Sequence, residues 1–159
     1  MIHIRLARPQ DVHRIFDLSN DPMVRQVSFN SEKIEWSEHE VWYTRALERT
    51  DVIFLLGFSD EGMEQKLIGQ VRYVLETPES AEISISLHSG YRGTGNGSLL
   101  LKASLEHLHR HSNVTTILAR VKSSNRASLK FFEKCGFVPL ESPDVGTSEE
   151  TSVTYILHI

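Results

Sequence analysis

Hydrophobic positions along the chain switch between a repeat of about two residues and one of about 3.6, which predicts a mixed α and β protein. Ile2, Ile4 and Leu6 alternate with polar residues as a first strand. Pro9 stands where a helix can begin, and Val12, Ile15, Phe16 and Ser19 follow at helical spacing until Asn20-Asp21-Pro22 ends it. Residues 23–35 carry no strong period and read as a loop or a short helical turn. Helical spacing returns over 36–48, with Trp42 and Leu47 toward the core. Strands at 52–58 and 67–75, joined by a turn at Asp60-Glu61-Gly62, form a hairpin. The next strand, 82–87, sets Ile83, Ile85 and Leu87 on one face and Glu82, Ser84 and Ser86 on the other. Leu101, Leu105 and Leu108 give an amphipathic helix over about 95–111. A β-branched strand at 115–121 precedes a short helix at 125–135, closed by Gly136, which suits a left-handed cap. A strand opening at 137–140, a polar loop at 141–150 and a last strand with Val153, Tyr155, Leu157 and Ile159 complete the order.

A chain of 159 residues suits one domain, 1–159, that buries roughly 70% of its unfolded surface. No apolar run approaches the ~20 residues of a membrane span, and MIHIRLAR lacks the apolar core of a secretory leader. Cys135 is the one cysteine, so no internal disulfide forms. These features lead us to expect a cytoplasmic protein. The net charge of -4, without a basic block, argues against nucleic acid as a partner.

Four glycines, Gly90, Gly93, Gly95 and Gly97, crowd the stretch SGYRGTGNGSLL between the strand at 82–87 and its following helix. Strand, glycine-rich turn and helix together point backbone N–H groups and a helix N-terminus at an anion. Glycine removes the Cβ atoms that would hold a phosphate away, and Arg92 adds a fork of donors. A diphosphate suits such a place. A nucleoside-triphosphate loop would end in Gly-Lys-Ser/Thr, whereas Ser98 follows Gly97 directly. The dinucleotide pattern G-x-G-x-x-G fails too, because Ser98 stands at its last glycine. Spacing alone leaves a flexible surface turn as the alternative.

Arg92-Gly93-Thr94-Gly95-Asn96-Gly97 resembles the R-x-x-G-x-G motif of the GCN5-related N-acetyltransferases. Asn125, Ser128, Phe131, Phe132, Gly136 and Phe137 resemble the same family's N-x-x-S and F/Y-x-x-x-G-F helix, about 30 residues downstream. The resemblance implies an α/β (α+β) fold: a central mixed, mostly antiparallel sheet of six to seven strands flanked by about four helices. It implies acetyl-CoA as co-substrate, held by Arg92, Gly93, Thr94, Gly95, Asn96, Gly97 and Ser98, with Asn125, Ser128 and Phe132 along the coenzyme. Backbone N–H groups near Ile85, Ser86 and Leu87 would stabilise the oxyanion, and Glu82 would take the attacking amine's proton. Family members often carry a tyrosine where Phe132 stands, as an acid for the leaving thiolate. Here solvent or Tyr91 supplies that proton, or no acid is needed, since a thiol of pKa about 8.5 is a fair leaving group.

Residues 20–43, together with GQVRY at 69–73, resemble the family branch that acetylates nucleotide-linked amino sugars in pseudaminic acid synthesis. That likeness implies a small-molecule amine as partner and Arg25, Asn30, His39, Trp42 and Arg72 as its contacts. Two other readings stay open: acetylation of a protein amino group, as in the ribosomal-protein enzymes, and a non-catalytic acetyl-CoA sensor. A homodimer is an option by fold-level analogy only. His107 and His111 share a helix face, yet no glutamate base or third ligand accompanies them, so no metal is expected. Histidine and arginine near a helix C-terminus are expected from the dipole alone.

Overall fold

The structure, a computed structural model, describes every residue except Gly62 and 141–150. The end of the hairpin turn and the polar loop expected at 141–150 therefore lie outside the described residues. The elements run β1 (Ile2–Leu6), a 3-10 turn (Pro9–Asp11), α1 (Val12–Ser19), α2 (Pro22–Val27), α3 (Trp36–Glu48), β2 (Val52–Glu61) and β3 (Glu64–Thr77). There follow β4 (Ser80–Leu87), a 3-10 turn (Ser89–Tyr91), α4 (Asn96–His111), β5 (Thr116–Lys122), α5 (Arg126–Lys134), β6 (Val138–Pro139) and β7 (Ser152–His158). All seven strands join one sheet in the order β1-β2-β3-β4-β5-β7-β6. Every neighbouring pair is antiparallel except β4 with β5. This is the mixed, mostly antiparallel sheet that the resemblance implies.

Helices cover the two faces unequally. Leu55, Val71, Tyr73, Ile83, Ile117 and Tyr155 bury one face of the sheet with Leu100, Leu101 and Leu108 of α4 and Phe132 of α5. On the opposite face Phe54, Leu56 and Phe58 of β2 pack with Ile15 of α1 and with Tyr43 and Ala46 of α3. Because β2 is covered on both sides, its sequence reads as a continuous apolar run rather than an alternation. The register pairs Arg72 with Ser84, Val74 with Glu82, and Arg72 with Phe54, so Arg72, Glu82 and Ser84 share the face on which α1 and α3 pack.

Two expectations change. Residues 22–27 form a true helix, α2, because Asp21 accepts the Met23 N–H at 2.9 Å and Pro22 begins the first turn. The structure thus has five α-helices among the described residues. On α3 the inward residues are His39, Tyr43 and Ala46, with Leu47 partly buried beside them, whereas Trp42 is 38% exposed. Trp42 was expected in the core, but His39, Tyr43 and Ala46 already fill the stripe at i, i+4 and i+7 that faces β2. No helix among the described residues is long and apolar enough to cross a membrane.

Candidate active site

Between β4 and β5 the pairing stops short. β4 and β5 pair only through Ser80 to Glu82 against Thr116 to Leu118, although β4 continues to Leu87 and β5 to Lys122. Beyond Glu82 the strands part, while β3 stays paired to β4 up to Leu87 and β7 to β5 up to Lys122. Alternate residues of 83–87 then turn their N–H and C=O groups away from β3 into a wedge. Ile85, Ser86 and Leu87, all partly buried, line the open side of that wedge.

At its wide end stands the glycine-rich turn. The His88 N–H donates to the Ile68 carbonyl at 2.8 Å, which fixes the end of β4. Arg92 folds back to donate from Nε to the Leu87 carbonyl at 3.2 Å. Asn96 Nδ2 donates to Thr94 Oγ1 at 2.7 Å, and Thr94 Oγ1 to the Tyr91 carbonyl at 3.2 Å. Gly95 caps α4 with φ of 84°, a left-handed conformation that a side chain would strain. Gly97 serves packing instead: a Cβ there would lie 3.0 Å from Leu87 Cδ1 and 3.1 Å from Phe131 Cε2. The first helical bond back from α4 is that of the Leu99 N–H to the Gly95 carbonyl at 3.2 Å, so the earlier N–H groups of α4 point outward without helical partners. Open N–H groups, a bare backbone and the free nitrogens of Arg92 together fit a diphosphate.

The second motif divides in two. Asn125 caps α5, its Oδ1 accepting the Ser128 N–H at 3.2 Å, and Ser128 is partly buried in the first turn. Phe132 was expected along the coenzyme, but it is 4% exposed and packs edge-on to Phe131 and Phe137 and stacked on Tyr155. Its role is in the core, because the apolar stripe of α5 must close the sheet there. The Tyr155 hydroxyl donates to Glu133 Oε1 at 2.8 Å; burial, then that bond and the carboxylate's charge, push its pKa up to about 12. Ser98 Oγ lies 3.7 Å from Cys135 Sγ, joining the first turn of α4 to the end of α5.

On the opposite face Glu82 projects beside the root of the wedge, with Oε1 3.9 Å from Nε of Arg120. Arg120 lies over the ring of Phe29, 5.7 Å from its centroid, and so links the loop after α2 to β5. Neither Arg120 nor Phe29 stands out in the sequence: both depend on the parallel pairing of β4 with β5, which periodicity does not reveal. Arg72 sits 4.9 Å from the Trp42 ring centroid and 5.9 Å from that of Phe54. Burial pulls its pKa down, the charge of Arg49 adds to this, and Glu82 opposes it. Trp42 therefore gives one ring face to Arg72 rather than to a ligand.

Three acceptor candidates take other parts. His39 is 1% exposed; its Nε2 donates to the Val12 carbonyl at 2.8 Å, among the rings of Phe16, Trp36 and Tyr43. Burial depresses its pKa below the ordinary imidazole value, and a side chain so enclosed does not reach an acceptor. Arg25 spends its guanidinium on its own loop, donating to the carbonyls of Ser19 at 2.7 Å and Asn30 at 2.9 Å and to Ser28 Oγ at 3.1 Å. Asn30 is exposed, and its Oδ1 accepts the Glu32 N–H at 3.0 Å. These two residues shape the loop that carries Phe29. Asp21 ties the loop's helix to the start of the glycine-rich turn through Ser89. Burial acts to raise its pKa, but bonds from the Met23 N–H and from Ser89, with the charge of Arg92, hold it below the usual carboxylate range.

His107 and His111 on α4 stand 4.3 Å apart by ring centroids. Among the described residues no group of three or more His, Cys, Asp or Glu is placed to hold a metal ion.

Mycothiol acetyltransferase of Corynebacterium glutamicum is 30% identical over 79% of this chain, and the alignment spans 46% of that protein. The chain thus spans about half the length of that relative. Acetyltransferase PseH of Campylobacter jejuni is 24% identical, over 80% of this chain and 77% of its own. Spermidine N-acetyltransferase from Vibrio cholerae, solved with CoA and spermine, shares the fold with a TM-score of 0.81 at 20% identity, over 99% of this chain and 95% of that one. Residues 2–138, from the first strand to the sixth, match the acetyltransferase (GNAT) domain model, and the chain belongs to that family.

Proposed function

We propose that the chain transfers the acetyl group of acetyl-CoA to the amino group of a nucleotide-linked amino sugar. The observation that carries this reading is the wedge between β4 and β5, which opens beside Glu82 and ends at the glycine cradle. The cradle and Arg92 hold the diphosphate, which lays the thioester arm along the unpaired edge of β4. Backbone N–H groups at 85–87 face the carbonyl oxygen and stabilise its negative charge as the amine adds. Glu82 accepts the proton of the attacking amine, directly or through water, as the C–N bond forms and the C–S bond breaks. The thiolate leaves without a tyrosine at position 132 and takes its proton from solvent.

For the acceptor, the support is the resemblance of residues 20–43 to the amino-sugar branch and the aromatic and cationic surface of Trp42 and Arg72 on the Glu82 face. The test is thiol release from acetyl-CoA against UDP-linked 4-amino-6-deoxy sugars, polyamines and peptide N-termini. Turnover confined to the nucleotide sugars is the expected result. Turnover of peptides or polyamines alone would replace the acceptor, and coenzyme binding without any turnover would point to a sensor.

A further inference from the structure

Arginines in this chain are otherwise satisfied wherever they are buried. Arg5 holds Asp11 through both terminal nitrogens at 2.7 and 2.8 Å, Arg25 is ringed by its own loop, and Arg92 reaches the Leu87 carbonyl. Arg72 differs: among the described residues it is partly buried yet has no oxygen partner, only the rings of Trp42 and Phe54. Its nitrogens are not fully enclosed, so the donors that no protein oxygen takes stay open to solvent and to a ligand. The side chain is not loose, because two rings fix where its fork points.

The surroundings say what completes it. Ser84, directly opposite Arg72 in the β3–β4 register, is exposed on the same face. Glu82 is diagonal to Arg72 in that register, which sets the two residues about 7–8 Å apart. Glu82 takes Arg120 as its near partner instead. The base and the fork therefore stand on one face, with the Ser84 position directly across from Arg72 and the Glu82 charge acting on it. Trp42 also borders an open cleft of about 550 Å³ on α3, lined with Ser37, Glu38, Val41, Arg45, Ala46 and Arg49; Arg72 meets it only through the Trp42 ring.

We propose that Arg72 is the anion receptor of the acceptor site, taking a phosphate of a nucleotide-linked amine while Glu82 faces the amine. This deepens the reading above and rests on it. A planar fork suits phosphate in a two-point bond, and the same charge repels a polycation. The site then selects amines that carry their own negative charge.

The test is calorimetric titration of the CoA-saturated protein with UDP, so that the glycine cradle is already filled. Wild type is expected to bind UDP, and Arg72→Met, which keeps the stem on Trp42, to bind it at least about 10-fold more weakly with CoA affinity unchanged. Arg72→Lys should recover only part of the affinity, since it keeps the charge but loses the fork. Competition by succinate but not UDP keeps the anion receptor and makes its anion a carboxylate. UDP affinity equal in wild type and Arg72→Met, or no binding of either anion, overturns the proposal. The two readings fail separately. UDP binding that depends on Arg72 without turnover of any nucleotide sugar leaves the receptor and removes the sugar. Sugar turnover with a kcat/KM indifferent to Arg72→Met leaves the sugar and removes the receptor.

Discussion

Where β1 meets the first helices, Asp11 is 3% exposed and takes three donors: both terminal nitrogens of Arg5 and the Arg8 N–H at 2.8 Å. Burial alone would raise its pKa, but Arg5, the Arg8 N–H and the charges of Arg5 and Arg14 hold it below the ordinary carboxylate value. A depressed carboxylate stabilises the fold fully above its unfolded pKa and loses that contribution as pH falls through the folded one. Urea midpoints should therefore drop in wild type as pH is lowered below about 4, and far less in Asp11→Asn. At neutral pH, Asp11→Ala should cost about 2–4 kcal/mol, because it strands Arg5 against Phe58 and orphans the Arg8 N–H. An unchanged midpoint at pH 7 would contradict that role. His39 shows the limit of reading single residues. As a letter in a helix it suits a ligand contact as well as a core position, and only the packing of α3 on α1 decides. Trp42 erred in the opposite sense, its apolar bulk suggesting the core when its ring serves Arg72 at the surface.

Elements were more legible than residues. Most strands and the long helices are legible in the hydrophobic pattern, and α4 begins inside the glycine-rich stretch, at Asn96. The one helix read as a loop or turn, α2, has six residues, too few for a period to emerge, although Asp21-Pro22 carries the cap and the proline of a helix start. The turn before α4 rests on conformation rather than chemistry, since nothing lies within 4 Å of a Cβ built on Gly95. Gly95→Ala should then cost about 1–2 kcal/mol through the left-handed φ and weaken coenzyme binding by disturbing the cradle. Calorimetry of CoA binding beside thermal melting checks this. Loss of affinity at least as large as the loss of stability is expected, and full affinity would mean that the turn does not hold the diphosphate.

Across the whole molecule, the proposed function rests on the short pairing of β4 with β5 within one seven-stranded sheet. Local sequence announces that β4 is a strand and that a phosphate turn follows; it does not announce that β4 and β5 pair over three residues and then diverge. The paired stretch sets Arg120 diagonal to Glu82, and Phe29 meets Arg120 from an element far away in the chain. Long-range pairing is the part of a fold that periodicity leaves open. The family motifs point to the glycine-rich turn and the strand beside it, while the acceptor contacts, carried over from a loop, needed the greatest revision. The wedge also makes a prediction of its own. A bulky side chain at its lining, such as Ile85→Trp, should raise the KM for acetyl-CoA by about 10-fold or more, and the melting temperature should fall as well because Ile85 packs against the core. A lower melting temperature with unchanged KM would place the coenzyme away from this strand.

The central claim is that Glu82 receives the amine's proton beside a thioester held along β4. Its most direct test is the kcat of Glu82→Gln, measured by thiol release with saturating acetyl-CoA and the best acceptor from the panel, next to CoA affinity measured by calorimetry. The account predicts a kcat lowered by about 10²–10⁴ with CoA affinity unchanged. An unaltered kcat would show that the proton goes elsewhere and would remove Glu82 from the chemistry.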